Sequence, residues 1–418
     1  MREIKTWIAT SSAQRLALYV AFIVYSLIRF LDAPGDDLSS SYIACRLLAN
    51  GGSSHLYDFH PELFHVVDTA PWISTAADAQ FSGFLHPYVQ TPLWAWALQP
   101  LCTKLTFSAF STIFLCIALL SLATTIEIVA RAWADNFLRP FPLVFLLAAI
   151  ALSTPFQYAM WLVQTHALFL MLTVAALYLA QRDRSFQAGA LLALACAVKI
   201  TPGLLAIYWL IGGRRQAALW FVLCSLGLAL LTVVAVGANL TLDYVHSMRR
   251  VSNVLLVSFN NQSLVAWLAS QSMLSELGSW RMLPLTPLLK IVSLIASLVG
   301  VAFAGWMSKR YEWAGASAAL ALIVITIFSP IAWTHYFLVL IPAVMILSNI
   351  GGVLPLMVAV ITFILNTTPV AIDPIAPYLA SMTMVRSHFI SAVILMFVMA
   401  LLCFRPNLRT INPKGDST

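Results

Sequence analysis

Charge is what this sequence has least of. Lys, Arg, Asp and Glu make up 9% of its 418 residues and hydrophobic residues 61%, whereas a soluble domain carries about 25% charged and 45–50% apolar residues. That shortage excludes a soluble globular chain, and the apolar excess excludes a disordered one. Cysteine is sparse too. Cys45, Cys102, Cys116, Cys196, Cys224 and Cys403 show no CxxC spacing, and most lie in apolar runs. The pattern argues against a zinc site and a disulfide framework, and Cys45, alone in a clearly polar loop, has no evident partner. Neither GxGxxG nor GxxxxGK[ST] occurs, which removes the usual glycine-loop routes to a nucleotide. Internal repeats, low-complexity tracts and a soluble terminal domain are also missing from the pattern.

What the chain has is apolar length. Runs at 14–31, 106–130, 140–153, 165–181, 186–198, 201–212, 216–237, 285–307, 313–330, 335–349, 352–368 and 387–404 predict about 12 transmembrane helices. The fold class expected is therefore an all-α polytopic membrane protein, one domain over residues 1–418. The basic N-terminus leads into a run ending Arg29-Phe-Leu-Asp32, which reads as an uncleaved first span. A shorter stretch, 91–103, reads as a helix at or dipping into the outer surface.

Charge placement supports this threading. With both termini inside, the cytoplasmic segments hold 14 bases against six acids, and the outer side nine bases against ten acids. The inner side nets +8 and the outer −1, giving the overall +7, which is the positive-inside pattern. Segment 186–212 is expected to be a short hairpin, since one span would put Arg182/Arg184 and Arg214/Arg215 on opposite sides. Two large outer loops result, 32–105 and 238–284, with function facing outward between them.

Few residues are left to carry chemistry. Asp36 and Asp37 follow Pro34-Gly35 and open an amphipathic helix. One such acid is an ordinary N-cap; a pair near the surface also suits a general base. Lys199, between two apolar arms, is costly unless paired or facing a wet cavity, and a phosphate is a plausible partner; snorkelling at a helix end is the alternative. His335 lies in Ser329-Pro330-Ile-Ala-Trp333-Thr-His335-Tyr336, where a lone His is usually structural and Trp and Tyr suit an interfacial belt. Gln164 and His166 head the 165–181 helix. Asn261-Gln262-Ser263 is formally a glycosylation acceptor and also what a sugar-binding loop shows. Arg249-Arg250 suits phosphate or, equally, lipid headgroups.

Together these positions resemble glycosyltransferase family 87, membrane transferases of the C-type (GT-C) superfamily. The resemblance runs in order: Asp37-Leu-Ser-Ser-Ser-Tyr42, Leu47-Leu-Ala-Asn-Gly-Gly52, Leu56-Tyr-Asp58, Thr91-Pro-Leu93, Gln164-Thr-His166, Lys199-Ile-Thr-Pro202, Asn261-Gln-Ser-Leu264 and Ser329-Pro-Ile-Ala-Trp-Thr-His-Tyr336. Val163, His166, Thr91, Ala332 and Tyr336 depart from its glycine, asparagine, proline, serine and histidine.

The resemblance implies a GT-C fold. It also implies a polyprenyl-phosphate sugar donor, a glycolipid or glycan acceptor and an active site facing the extracytoplasmic side of the cell membrane. Mannose is the first sugar implied and arabinofuranose the second. Asp37 would be the base, with Lys199 and His335 on the departing phosphate, helped by Arg249 or Arg250. Asp36, Gln164, His166, Asn261, Gln262 and Trp333 would bind substrate. One base with direct displacement implies inversion; a glycosidase wants two facing carboxylates. No metal, cofactor or nucleic-acid partner is expected. A lipid-linked-sugar flippase is the competing class, since buried cations and broken helices also suit transport.

Overall fold

The structure is a computed structural model that describes residues 2–60, 62–270, 280–311, 314–367 and 386–404. It is mainly helical, in the order α1 (Arg2–Phe30), α2 (Asp36–Ala49), α3 (Ala70–Asp78), α4 (Pro92–Cys102), α5 (Phe107–Trp133), α6 (Pro140–Leu152), α7 (Thr154–Trp161), α8 (His166–Gln181), α9 (Ser185–Val198), α10 (Leu205–Ile211), α11 (Arg215–Val236) and α12 (Ala238–Val251). Strand β1 (Val254–Val257), α13 (Leu264–Ser270), β2 (Arg281–Pro284), α14 (Pro287–Tyr311), α15 (Ala314–Ile327), α16 (Leu340–Ile350), α17 (Val353–Asn366) and α18 (Ser387–Cys403) follow. The C-terminal bases Arg405, Arg409 and Lys414, segment 271–279 of the expected second outer loop, and segment 368–385 lie outside the described residues.

Among the described residues, four helical stretches are long and apolar enough to cross a membrane: Ser12–Phe30, Phe107–Trp133, Arg215–Val236 and Pro287–Arg310. A fifth arises if α6 and α7, bent by 62°, count as one. The bend falls where Pro155 enters, a residue that cannot continue the backbone ladder of the preceding turn. α11 leaves Leu219, Leu223, Leu226 and Leu230 exposed. In water such a face would be unstable, and in a bilayer it is the solvated one.

Close packing sets which helices meet. α9 lies against α8 and α11, and α10 against α14. A Cβ added at Gly189 would come within 2.5 Å of the Phe221 backbone nitrogen, and one at Gly305 within 2.6 Å of the Tyr208 carbonyl. Small residues at these crossings let backbones approach, the usual way apolar helices associate without a hydrophobic drive between them.

Two expectations need correction. The chain is not purely helical: β1 pairs antiparallel with β2, Val254 opposite Pro284 and Val257 opposite Arg281. Leu255, Val257, Phe259, Val265 and Leu285 form a small separate core beneath this ribbon. A four-residue strand is too short to carry a readable period-2 pattern. Second, Cys45 has a partner. It forms a disulfide with Cys102, 57 residues away, with Cα atoms 6.5 Å apart. The pairing was hidden because Cys102 sits in an apolar helix, α4, which only packing brings against α2. Closing a loop of that length removes roughly 4 kcal/mol of unfolded-chain entropy.

The segment between α2 and α3 is joined to β2. Met282 donates its backbone N–H to the Glu62 carbonyl at 3.0 Å, and Leu63 bridges Arg281.

Candidate active site

Helix α2 starts abruptly. Gly35 occupies the cap position at φ 62°, a left-handed conformation open to glycine at little cost. Its N–H bonds the Trp161 carbonyl at 3.3 Å, tying the start of α2 to the end of α7. Gly35, not an aspartate, is therefore the cap, and Asp36 and Asp37 fall in the first turn. The helix N-terminus favours negative charge there. Ser39 anchors the same turn by donating to the Phe84 carbonyl at 3.1 Å.

A cavity of about 540 Å³ opens beside this turn. Asp36, Asp37, Gln164, His166, Lys199 and Trp333 all line it, although their positions span some 300 residues of sequence. Asp37 accepts a hydrogen bond from the Gln164 side-chain amide. His86 Nε2 lies 3.9 Å from its other oxygen. Burial raises the Asp37 pKa above the ordinary carboxylate value, opposed by His86, the Gln164 hydrogen bond and Lys199. Burial also raises Asp36, with His86 opposing and the Asp37 charge adding.

Lys199 stands where α9 ends, its backbone extended at φ −152°. The Thr91 hydroxyl, at the start of α4, donates to the Ala197 carbonyl two residues earlier, one of the carbonyls left without a helical partner at a helix end. The ammonium sits 3.0 Å from the centroid of the Tyr336 ring. Such a contact contributes about 2 kcal/mol or more when desolvated, which offsets part of the cost of a cation there. Tyr336 is itself stacked on His166, centroids 4.9 Å apart and planes 5° apart.

Five expected site residues stand elsewhere. His335 is 1% exposed, and its ring nitrogens have no hydrogen-bond partner among the described residues. It backs the cavity wall, 5.9 Å from His166 and 4.8 Å from Tyr336 between centroids. Asn261 is wholly buried. Its side chain donates to the Leu256 carbonyl and accepts from the Ala332 N–H at 2.9 Å. The Gln262 amide bonds the Phe259 carbonyl at 2.8 Å. The Asn261 side chain thus fixes the 329–334 segment by backbone contacts, the Gln262 side chain fixes its own turn, and neither lines the cavity. Arg249 points to the exterior. Arg250 packs over the Phe59 ring and bonds the Tyr57 carbonyl, because Tyr244, Met248 and Val251 take the face of α12 that lines the cavity.

The cavity also contains residues the sequence did not single out. His86 lies in an irregular loop with no periodic context. Tyr158 and Asn260 also line it, and Asn260 donates to the Tyr158 hydroxyl at 2.7 Å while accepting from the Thr334 N–H. Adjacency to Asn261 was the one available signal for Asn260.

Residues 88–330 match the model of glycosyltransferase family 87. The chain belongs to that family. It is thus an enzyme that transfers sugars. The match covers Gln164, His166 and Lys199 and stops short of Asp37 and Trp333 on either side. Comparison with curated proteins gives no match. His166 and Tyr336 form a stacked pair, and the Tyr336 ring carries the Lys199 ammonium. Val163 is held at φ 49°, a region costly for a β-branched residue.

Proposed function

We propose that this family 87 enzyme moves a hexose, mannose first, from a polyprenyl-phosphate donor to a hydroxyl of a glycolipid or glycan. The reaction takes place at the extracytoplasmic face of the cell membrane. One observation carries the reading: Asp37 and Lys199 open onto the same cavity, each with the environment its role requires. An anomeric phosphate is already a good leaving group. The protein then has to remove a proton from the acceptor hydroxyl and hold the departing charge.

Asp37 takes that proton as the C–O bond to the anomeric carbon forms and the bond to phosphate breaks. A single base acting on the acceptor gives inversion. The raised pKa of Asp37 strengthens it as a base, since efficiency grows as the pKa nears the working pH. Lys199 holds the phosphate; the Tyr336 ring under its ammonium leaves the N–H groups free to turn to an anion. Gln164 fixes the carboxylate through its amide. His335 acts through His166 and Tyr336, whose rings it backs.

The membrane reading complements this. Taking each shorter apolar helix as a span, with α6–α7 as one, brings the total to twelve. Arg249 and Arg250 then lie at the outer surface, suited to lipid headgroups. A flippase would share the cavity but has no use for a polarised carboxylate beside it. Arabinofuranosyl transfer would use the same residues.

The test is purified protein in sealed proteoliposomes with labelled polyprenyl-phosphate mannose and a lipid extract as acceptor. Label in a new glycoconjugate is the expected result. Donor moved across the bilayer with no bond made would replace the transferase by the flippase.

A further inference from the structure

The residues lining the cavity fall into two unlike groups. Lys199, His166 and Tyr336 belong to one, built where apolar helices finish. The other is a wall of rings. Trp280 and Trp333 lie 5.7 Å apart between centroids. Phe64 stacks on Trp333 at 6.4 Å, with planes 30° apart. His65 lies 5.4 Å from Trp280. All four line the cavity. They come from three separate segments: the first outer loop, the residue before β2, and the turn before residues 334–339.

Two features mark the wall. Trp280 is held at φ 53°. A bulky residue in the left-handed region is an outlier, and such strain persists only where the surroundings impose it. Those surroundings are the Leu63–Arg281 bridge and the Glu62–Met282 hydrogen bond on one side, and Phe259 against the indole at 5.9 Å on the other. His65 Nδ1 is buried without a hydrogen-bond partner among the described residues, a state that costs free energy unless something else supplies the bond.

We infer that this aromatic wall is the acceptor subsite and that it takes a sugar ring, so the acceptor is a glycan or glycolipid whose hydroxyl belongs to a pyranose. The inference rests on the transferase reading and deepens it. A pyranose has an apolar C–H face that suits flat aromatic surfaces and an edge of hydroxyls that suits His65 and His86. A plain lipid alcohol offers neither. The wall stands on the loop side, where an aqueous glycan enters, and Lys199 on the helix side, where a lipid phosphate enters. The acceptor hydroxyl meets Asp37 between them.

The experiment uses the full chain in nanodiscs with labelled polyprenyl-phosphate mannose. Methyl α-mannopyranoside and phosphatidylglycerol, whose hydroxyl sits on no sugar ring, compete as acceptors. Transfer to the mannoside is expected, with its KM raised about tenfold in W280A and W333A, donor KM held within about twofold, and W280F recovering most of the loss. Preferred transfer to phosphatidylglycerol, or equal rises in donor and acceptor KM, would overturn the subsite. Saturation-transfer NMR with the mannoside alone reads binding without chemistry. A signal lost in W280A with no transfer by wild type keeps the subsite and defeats the transferase reading. No signal and no transfer defeats both.

Discussion

Asp37 illustrates how little a residue says before its neighbours are known. In the sequence it is one of two adjacent acids, and capping explains either. In the structure Gly35 caps the helix, and Asp37 is left to Gln164, His86 and Lys199. Replacing it with asparagine keeps the shape and removes the proton acceptor. D37N should lower kcat by about 10²–10⁴-fold, the usual worth of a general base, with donor binding retained; full turnover would shift the role to Asp36. The pH dependence follows from the raised pKa. The base works ionised, so activity should climb with pH through a value above the ordinary Asp figure of about 3.9. His86 opposes the rise, so H86A should move that limb to higher pH. A kcat/KM profile of both proteins checks the sign. K199A should raise donor KM far more than acceptor KM, because a phosphate, not a neutral hydroxyl, needs the cation.

Elements place these residues through their ends. α2 is aimed by Gly35 at its start and by the Cys45–Cys102 disulfide near its end. A Cβ at Gly35 would meet Ser111 Oγ at 3.1 Å and the Phe107 ring at 3.3 Å. G35A should therefore cost about 1–2 kcal/mol for the left-handed backbone alone and displace Asp37, so both melting temperature and kcat should fall. C45S should lose up to about 4 kcal/mol of loop-closure stabilisation, read as a lower melting temperature that reducing agent also produces in wild type. Helix positions were legible because apolar runs mark them, as 91–103 does for α4 and 106–130 for α5. The β1–β2 ribbon and the disulfide were not, because each joins residues whose separation is set by packing.

At the scale of the molecule, apolar runs separated by sparse charge predict Arg182, Arg184, Arg214 and Arg215 on one side. The break at Lys199, between α9 and α10, is where the chain would turn back. α9 is 14 residues long, about 21 Å at 1.5 Å per residue, short of a hydrocarbon core of about 30 Å. A reporter fused after residue 200 should read extracytoplasmic and one after Arg184 cytoplasmic; a cytoplasmic signal at both would remove the turn.

By itself the sequence determined solvent and polarity: which stretches need lipid, which ends carry cations, and that Asp37 and Lys199 have few rivals. Those follow from transfer free energies, which are local to a side chain. Tertiary structure alone decided that Asp37 and Lys199 share a cavity, that Asn261 and Gln262 serve the backbone, and that Trp280 faces Trp333. Those are contacts between distant segments, and no local preference encodes a distance across the fold.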